Sequence, residues 1–450
     1  MKEIRIQQFI AKSKFLKFHF TLLFWSFVLI AFDGYDLVVY GTVVPVLIEE
    51  WGISPLYAGT LSSYGLFGML FGAIGFGILA DQIGRKKVIV ATVILFSVFT
   101  ALCGFVSSPE IFGVFRFLAG LGLGGIMPNV IALLTDYAPQ KYKGTIVAIV
   151  LCGYSIGGII APILGLTLMP SLGWESIFWV SAIPLLLIPV FYKRLPETPS
   201  YLLKKGRVDE LAKTLQKLAP DEKIDASMNF ILDEVVTEKQ GPLALFSENR
   251  TRSTLLFWVA FFSCLLMVYG LNTWLPNLMI QAGYGLTSSL VFLIALQGGA
   301  IVGSLIMGHL ADKYGFKKVL IPMYISGAIA LTLLGFGGGE VWVFLLIMIA
   351  GAATIGSQNI VQAYVSQYYP AFIRSTALGT SSGIGRIGGM MGPILGGVLL
   401  GMTLPNYQYF LAFAIPGFIA AIAITFVPSK KIVKKEDRYV ADSVTKVVES

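Results

Sequence analysis

Twelve times along the 450-residue chain an apolar run appears with few or no charges, each long enough to cross a hydrocarbon core of roughly 30 Å as a helix. The first six runs lie at about 20–48, 57–80, 88–106, 111–134, 144–168 and 174–192. The second six lie at about 254–279, 288–311, 319–338, 341–363, 376–401 and 407–427. With 56% hydrophobic residues, 13% charged residues and a mean hydropathy of +0.78, the chain falls outside the range of soluble domains. The expected fold class is an all-α membrane protein of twelve transmembrane helices. The expected division is an N-terminal six-helix bundle at 1–192, a linker with short amphipathic helices at 193–252, a C-terminal six-helix bundle at 253–428 and a tail at 429–450. In the linker, "VDELAKTLQKL" puts Leu211, Leu215 and Leu218 on one helical face.

The basic residues orient these runs. If odd helices run outward, 31 of the 33 Lys and Arg residues fall in the two termini and the loops on their side, and none falls in the opposite loops. Those opposite loops hold Glu49, Glu50, Glu110, Glu175 and Glu340. The positive-inside rule then puts both termini in the cytoplasm of a multi-pass protein of the cell inner (plasma) membrane. The net charge of +8 is accounted for by topology, so no nucleic acid partner is needed. The first run is too long for a signal-peptide core and no small-residue cleavage site follows it, so it is expected to remain as a spanning helix. Cys103, Cys152 and Cys264 each fall inside a run without metal-ligand spacing, and no metal site is expected.

The chain repeats itself. "GILADQIGRKKV" (Gly77 to Val88) and "GHLADKYGFKKV" (Gly308 to Val319) match at an offset of 231 residues. The same offset relates Lys143-Gly144-Thr145 to Arg374-Ser375-Thr376, "APILG" at 161–165 to "GPILG" at 392–396, and Pro45 to Pro276. A duplicated six-helix unit whose halves enclose a midplane site is a recurring transporter plan.

These paired loops, "RFLAGLGLGG" in the fourth run and "RLPETPSYLLKKGR" after the sixth resemble the major facilitator superfamily. Within it, "DGYDLVVYG", "NTWLPNLM" and "GRIGGMMGP" resemble the aromatic acid:proton symporter family. The resemblance implies two pseudo-symmetric six-helix bundles, the major facilitator fold. It also implies symport of a benzoate- or hydroxybenzoate-like acid into the cell.

The loop motif carries an expected conformational latch formed by Gly77, Asp81, Arg85, Asp312 and Lys317. Gly77 would admit a neighbouring helix closely. Asp81 would accept hydrogen bonds from Arg85, or face the positive end of the helix starting near Ser375 in the other half. By the repeat, Asp312 would face the helix start near Gly144. The second loop departs from the first in having Phe316 where the first has Arg85.

Four charges lie within the runs away from their ends: Asp33, Asp36, Arg116 and Arg386. Each costs roughly 2.5 to 3.5 kcal/mol near the bilayer centre on insertion scales, so a compensating arrangement is required. Asp33, Asp36 and Tyr40 share one helical face at i, i+3 and i+7, which is expected to point at the cavity between the halves. A purely structural neutralisation of two acids by two arginines is one reading. The repeat weighs against it, since Asp33 maps to Cys264, Asp36 to Met267, Arg116 to Ile347 and Arg386 to Ser155. Architecture is duplicated and charge is not. In the functional reading at least one of Asp33 and Asp36 exchanges a proton under the control of Arg116, which stays charged throughout. Arg386, flanked by Gly385, Gly388 and Gly389 as expected open space, forks onto a substrate carboxylate.

Tyr35, Tyr40, Tyr154, Tyr269, Trp274 and Tyr364 are candidates to line a site for a planar ring. Asn129, Asn272, Gln297, Gln358 and Gln362 are candidates for its polar substituents. An aromatic residue at helical spacing is more often packing. The expected function is proton-coupled symport by alternating access in a monomer, with no cofactor beyond the proton gradient. The partners are a small organic anion, the proton and the lipid bilayer. Carriers of a nicotinate-like acid or a sugar, an efflux antiporter and a non-transporting sensor are the alternatives. An enzyme is not expected, because no metal cluster, phosphate loop or nucleophile-plus-base pattern is present in the sequence.

Overall fold

The structure, a computed structural model, describes residues 3–220, 222–232, 242–247, 250–402 and 404–428. The tail expected at 429–450 lies outside them. Among the described residues twelve helices are long and apolar enough to span a membrane. In the first half they are α1 (Lys17–Trp51), α2 (Pro55–Ile83), α3 (Arg85–Cys103), α4 (Pro109–Tyr137), α5 (Lys143–Leu172) and α6 (Glu175–Arg194). In the second they are α7 (Thr251–Gln281), α8 (Leu286–Tyr314), α9 (Phe316–Leu334), α10 (Glu340–Tyr368), α11 (Ile373–Gly401) and α12 (Asn406–Phe426). Each overlaps one apolar run. Local chemistry sets several ends: Ser54 and Ser108 cap α2 and α4 by accepting from Tyr57 N and Ile111 N, each followed by a proline in the first turn. The turns after α2 and α8 pass through Gly84 and Gly315 at φ of +99° and +96°, a backbone that L side chains rarely adopt.

The duplication is visible in the packing. A Cβ on Gly68 would lie 2.1 Å from Phe117 O, and one on Gly299, its mate at 231, would lie 2.0 Å from Met348 O, the mate of Phe117. Gly157 against Ala31 O is repeated as Gly388 against Phe262 O. Nothing larger than hydrogen fits at these crossings, which hold α2 on α4, α1 on α5 and their counterparts at van der Waals contact. The α10 helix carries a π-turn, Ala352–Gly356, in mid-span.

The halves meet along α1 with α7, α2 with α11, and α5 with α8. These contacts concentrate toward the end of the molecule that carries Glu49 and Glu50. There, Gly41 abuts Asn272 O, Gly59 abuts Pro393 O and Gly397 abuts Pro55 O. Hydrogen bonds Ser62–Thr273 (3.0 Å) and Ser63–Met390 O (2.8 Å) cross between the halves at the same level. Toward the basic loops the situation reverses: a Cβ on Gly75, Gly77, Gly144, Gly379 or Gly383 would meet nothing within 4 Å. The molecule is therefore sealed at the acidic end and parted at the basic end.

A small cap covers the basic end of the first half. Strand β1 (Glu3–Arg5) pairs in parallel with β2 (Asn229–Ile231) from the linker, and a short helix (Ile6–Lys12) follows β1. Ile4, Ile6 and Ile10 are buried with Leu211, Leu215 and Leu218, so the N-terminal segment is a packed element as well as a carrier of charge.

Candidate functional site

The loop motif works inside one half. Arg85 Nη1 lies 2.6 Å from Asp136 Oδ2 at the end of α4, while Asp81 is exposed. The backbone N–H groups of Arg85 and Lys86 donate to Glu197 Oε1 (2.9 and 3.3 Å), so a buried carboxylate from the segment after α6 caps α3. The expected bond between Asp81 and Arg85 is thus replaced by Arg85–Asp136, because the turn at Gly84 sends Arg85 toward α4. Gly77 meets no neighbouring helix, and Asp312 and Gly144 are both exposed at the parted end. Lys317 donates instead to Val427 O (2.9 Å), satisfying a carbonyl at the end of α12. Phe316, at the place of Arg85, stacks on Tyr364 with ring centroids 5.7 Å apart.

Asp36 is fully buried and fully engaged. Arg116 Nη1 donates to its Oδ1 (3.1 Å) and Oδ2 (3.0 Å), Arg116 Nη2 donates to its backbone carbonyl (3.3 Å), and Thr100 Oγ1 donates to Oδ1 (2.5 Å). Arg116 also lies 6.0 Å from the centroid of Tyr40. Asp33, one turn nearer the basic end, accepts no hydrogen bond among the described residues and borders a cavity. Tyr154 on α5 of its own half, and Tyr269 and Arg386 from the other half, are the groups near it. Arg386 is half-buried and forms no ion pair among the described residues. Its glycine neighbours do not open space: Gly385 packs on Leu265, Gly388 on Phe262 O and Gly389 on the Tyr269 ring, so they seat α11 tightly on α7.

The cavity is narrow: about 20 Å³ of it is open to the centre of a water-sized sphere, room for about one water, and about 400 Å³ is reached only by counting the open space at its mouth. Leu37, Leu66, Met69 and Leu123 give it an apolar wall, and Ser62, Tyr269, Asn272 and Thr273 a polar one, with Asp33, Asp36 and Arg116 also at its boundary. This is a narrow slot with an apolar face and a few convergent polar groups, the mixture of wall chemistry that small-molecule sites share.

Several expected lining residues are spent elsewhere. Tyr35 donates to Ile177 O (2.5 Å) and Tyr40 to Ala58 O (2.6 Å), both buried within the first half. Helix α1 is surrounded on most sides, so the face shared by Asp33, Asp36 and Tyr40 turns partly into its own bundle. Asn129 donates to Gly125 O one turn back, and Trp274 donates to Pro393 O in the contact of α7 with α11. Both are packing residues. Asn272 does border the cavity, but its Nδ2 donates to Val268 O and its Oδ1 accepts from Gln297 Nε2. Gln297 is buried with Oε1 unpartnered among the described residues. Gln358 and Gln362 are half-buried on α10 and border no part of this cavity. Sequence reasoning missed Thr100, Ser62 and Thr273. Hydroxyls in apolar helices carry no signal unless a charged partner is already placed beside them.

A family model described as the Major Facilitator Superfamily matches residues 26–303 and 293–442. The chain belongs to that superfamily. A benzoate transport protein of Acinetobacter baylyi is 42% identical over 97% of this chain and 95% of its own length. A gentisate transporter of Corynebacterium glutamicum is 36% identical over 90% of this chain and 86% of its own, and a 4-hydroxybenzoate transporter of Pseudomonas putida is 30% identical over 94% and 95%. These relatives place the chain in the aromatic acid:proton symporter family, and it is a membrane transporter rather than an enzyme. The fold is shared with the xylose transporter XylE from E. coli in its inward-open conformation, at a TM-score of 0.74, 16% identity and coverage of 92% of this chain and 97% of that one.

Proposed function

We propose that this protein carries a benzoate- or hydroxybenzoate-like monocarboxylate inward across the plasma membrane together with a proton. The observation that carries the reading is the contrast between the two acids. Asp36 is held by Arg116 and Thr100, while Asp33 accepts no hydrogen bond among the described residues, borders the cavity between the halves and lies near Arg386, which forms no ion pair among them. A buried carboxylate without partners is a poor structural element and a good seat for an exchangeable proton. An unpaired guanidinium beside it suits a carboxylate ligand, which it binds through two parallel hydrogen bonds. Relatives named for benzoate, gentisate and 4-hydroxybenzoate support an aromatic ring as the rest of the substrate.

The basic loops face the cytoplasm in this reading, so both termini are cytoplasmic and the parted end opens inward. The transporter works as a monomer and needs no cofactor. The latch forms only when that end shuts, bringing Gly77 and Asp81 to the helix start near Ser375 and Asp312 to that near Gly144. One proton per monoanion makes the cycle electroneutral, with each pH unit supplying about 1.4 kcal/mol. A second proton would add roughly 2.3 kcal/mol per 100 mV. The test is a ligand panel on purified protein, read by thermal shift, with benzoate, hydroxybenzoates, phenylpropionates and nicotinate. Stabilisation by aromatic monocarboxylates and none by their amides supports the reading; stabilisation by sugars alone overturns it.

A further inference from the structure

Among the described residues Thr100 is the one neutral side chain that hydrogen-bonds Asp36, and three observations say that the contact has a purpose. First, a threonine inside a helix ordinarily turns its hydroxyl back to a carbonyl of the preceding turn. Thr21, Thr42, Thr60 and Thr332 do so here, whereas Thr100, 0% exposed on α3, donates across to Asp36 on α1. Second, the guanidinium does not hold the carboxylate by the usual side-on fork. A single nitrogen, Nη1, serves both carboxylate oxygens while Nη2 is spent on the backbone carbonyl and Nε has no partner among the described residues. One nitrogen leaves the carboxylate free to rotate about it, and Thr100 removes that freedom. Third, the set is exchanged as a unit in the repeat: Asp36, Arg116 and Thr100 map at 231 to Met267, Ile347 and Leu331, all buried and all apolar. A threonine kept only for helix packing would have no reason to change in step with the ion pair.

We propose that Thr100 is a positioning residue for proton coupling: it pins Asp36 to Arg116 as a fixed ion pair and so leaves Asp33 as the carboxylate that exchanges protons. The inference rests on the carrier reading above only for its consequence in transport. The groups facing Asp36 are Arg116 from α4, Thr100 and Cys103 from α3, and Asp33 and Tyr35 on α1 itself. Tyr154 from α5, Tyr269 from α7 and Arg386 from α11 face Asp33 instead. In Thr100→Val the shape is kept and the donor is lost. The Asp36 carboxylate then keeps Arg116 as a partner but loses the contact that stops it turning, so its position is no longer fixed.

The experiment is a pH titration of the purified full-length protein by difference infrared spectroscopy, following the carboxylic acid C=O band. It needs no substrate, so its outcome is independent of which acid is carried. In the parent protein the titrating band is expected to vanish in Asp33→Asn and persist in Asp36→Asn. In the carboxylate stretching region, the bands that are lost in Asp36→Asn are expected to shift and broaden in Thr100→Val, where the hydroxyl donor is missing, and Thr100→Ser, which keeps the hydroxyl, behaves as the parent. Equal spectra for Thr100→Val and the parent, or a displacement in Thr100→Ser equal to that in Thr100→Val, overturns the inference. Loss of aromatic acid uptake by the parent protein would overturn the carrier reading and leave the spectroscopic comparison standing.

Discussion

Gly41→Ala is the sharpest probe of the seal between the halves. A Cβ at Gly41 would stand 1.9 Å from Asn272 O on α7, where an ordinary contact begins at 3.4 Å. Backbone on both sides leaves no flexible side chain to give way, so α1 and α7 must part by about 1.5 Å at this level. Overpacking of this kind costs about 1–3 kcal/mol, here charged only to states in which the acidic end is shut. The equilibrium should therefore move toward opening that end by a factor of about 5 to 150. Spin labels at Leu56 on α2 and Met402 beyond α11, both exposed at the acidic end, should report a longer separation in the variant. Gly68→Ala is the control: its Cβ would lie 2.1 Å from Phe117 O, but that contact is inside one half. It should lower thermal stability without lengthening the label distance. Gly77→Ala, in open space here, should leave the distance unchanged in the parted state. An unchanged distance in Gly41→Ala, with stability reduced as in Gly68→Ala, would refute the claim that this glycine serves closure rather than folding.

Asp36→Asn leaves Arg116 buried without its counter-ion, and should destabilise the protein by about 3–5 kcal/mol in thermal or denaturant unfolding. Replacing the trio by the residues of the other half, in Asp36→Met/Arg116→Ile/Thr100→Leu, should recover most of that loss while transport stays absent; recovered transport would show the trio to be structural. Arg386→Gln should lose carboxylate binding at least tenfold and keep its melting temperature, since Arg386 pairs with nothing among the described residues. A large drop in melting temperature with binding retained would assign Arg386 to packing.

The spans, the two halves and the four membrane charges were legible because each is a local property: length, hydropathy, a repeat offset, a charge where lipid forbids one. Partner choice was not. Arg85 found Asp136, 51 residues away, rather than the nearby Asp81, because the direction of a helix start is set by Gly84 in three dimensions. Tyr35, Tyr40 and Trp274 have their polar atoms paired inside a half or at the α7–α11 contact, as buried tyrosine and tryptophan must. The N-terminal element could have been read from Ile4, Ile6 and Ile10 among its charges. Thr100 also left a trace: its repeat mate Leu331 differs in polarity just as Met267 and Ile347 differ from Asp36 and Arg116.

Accumulation of radiolabelled benzoate in proteoliposomes carrying only a pH gradient measures coupling without any other driving force. For the parent protein one unit of pH, acid outside, should sustain about tenfold accumulation that collapses when the gradient is dissipated. Asp33→Asn should abolish that accumulation while still exchanging labelled for unlabelled benzoate at equal pH. Accumulation by Asp33→Asn equal to the parent's, or accumulation by the parent indifferent to the gradient, would contradict Asp33 as the proton seat of a symporter.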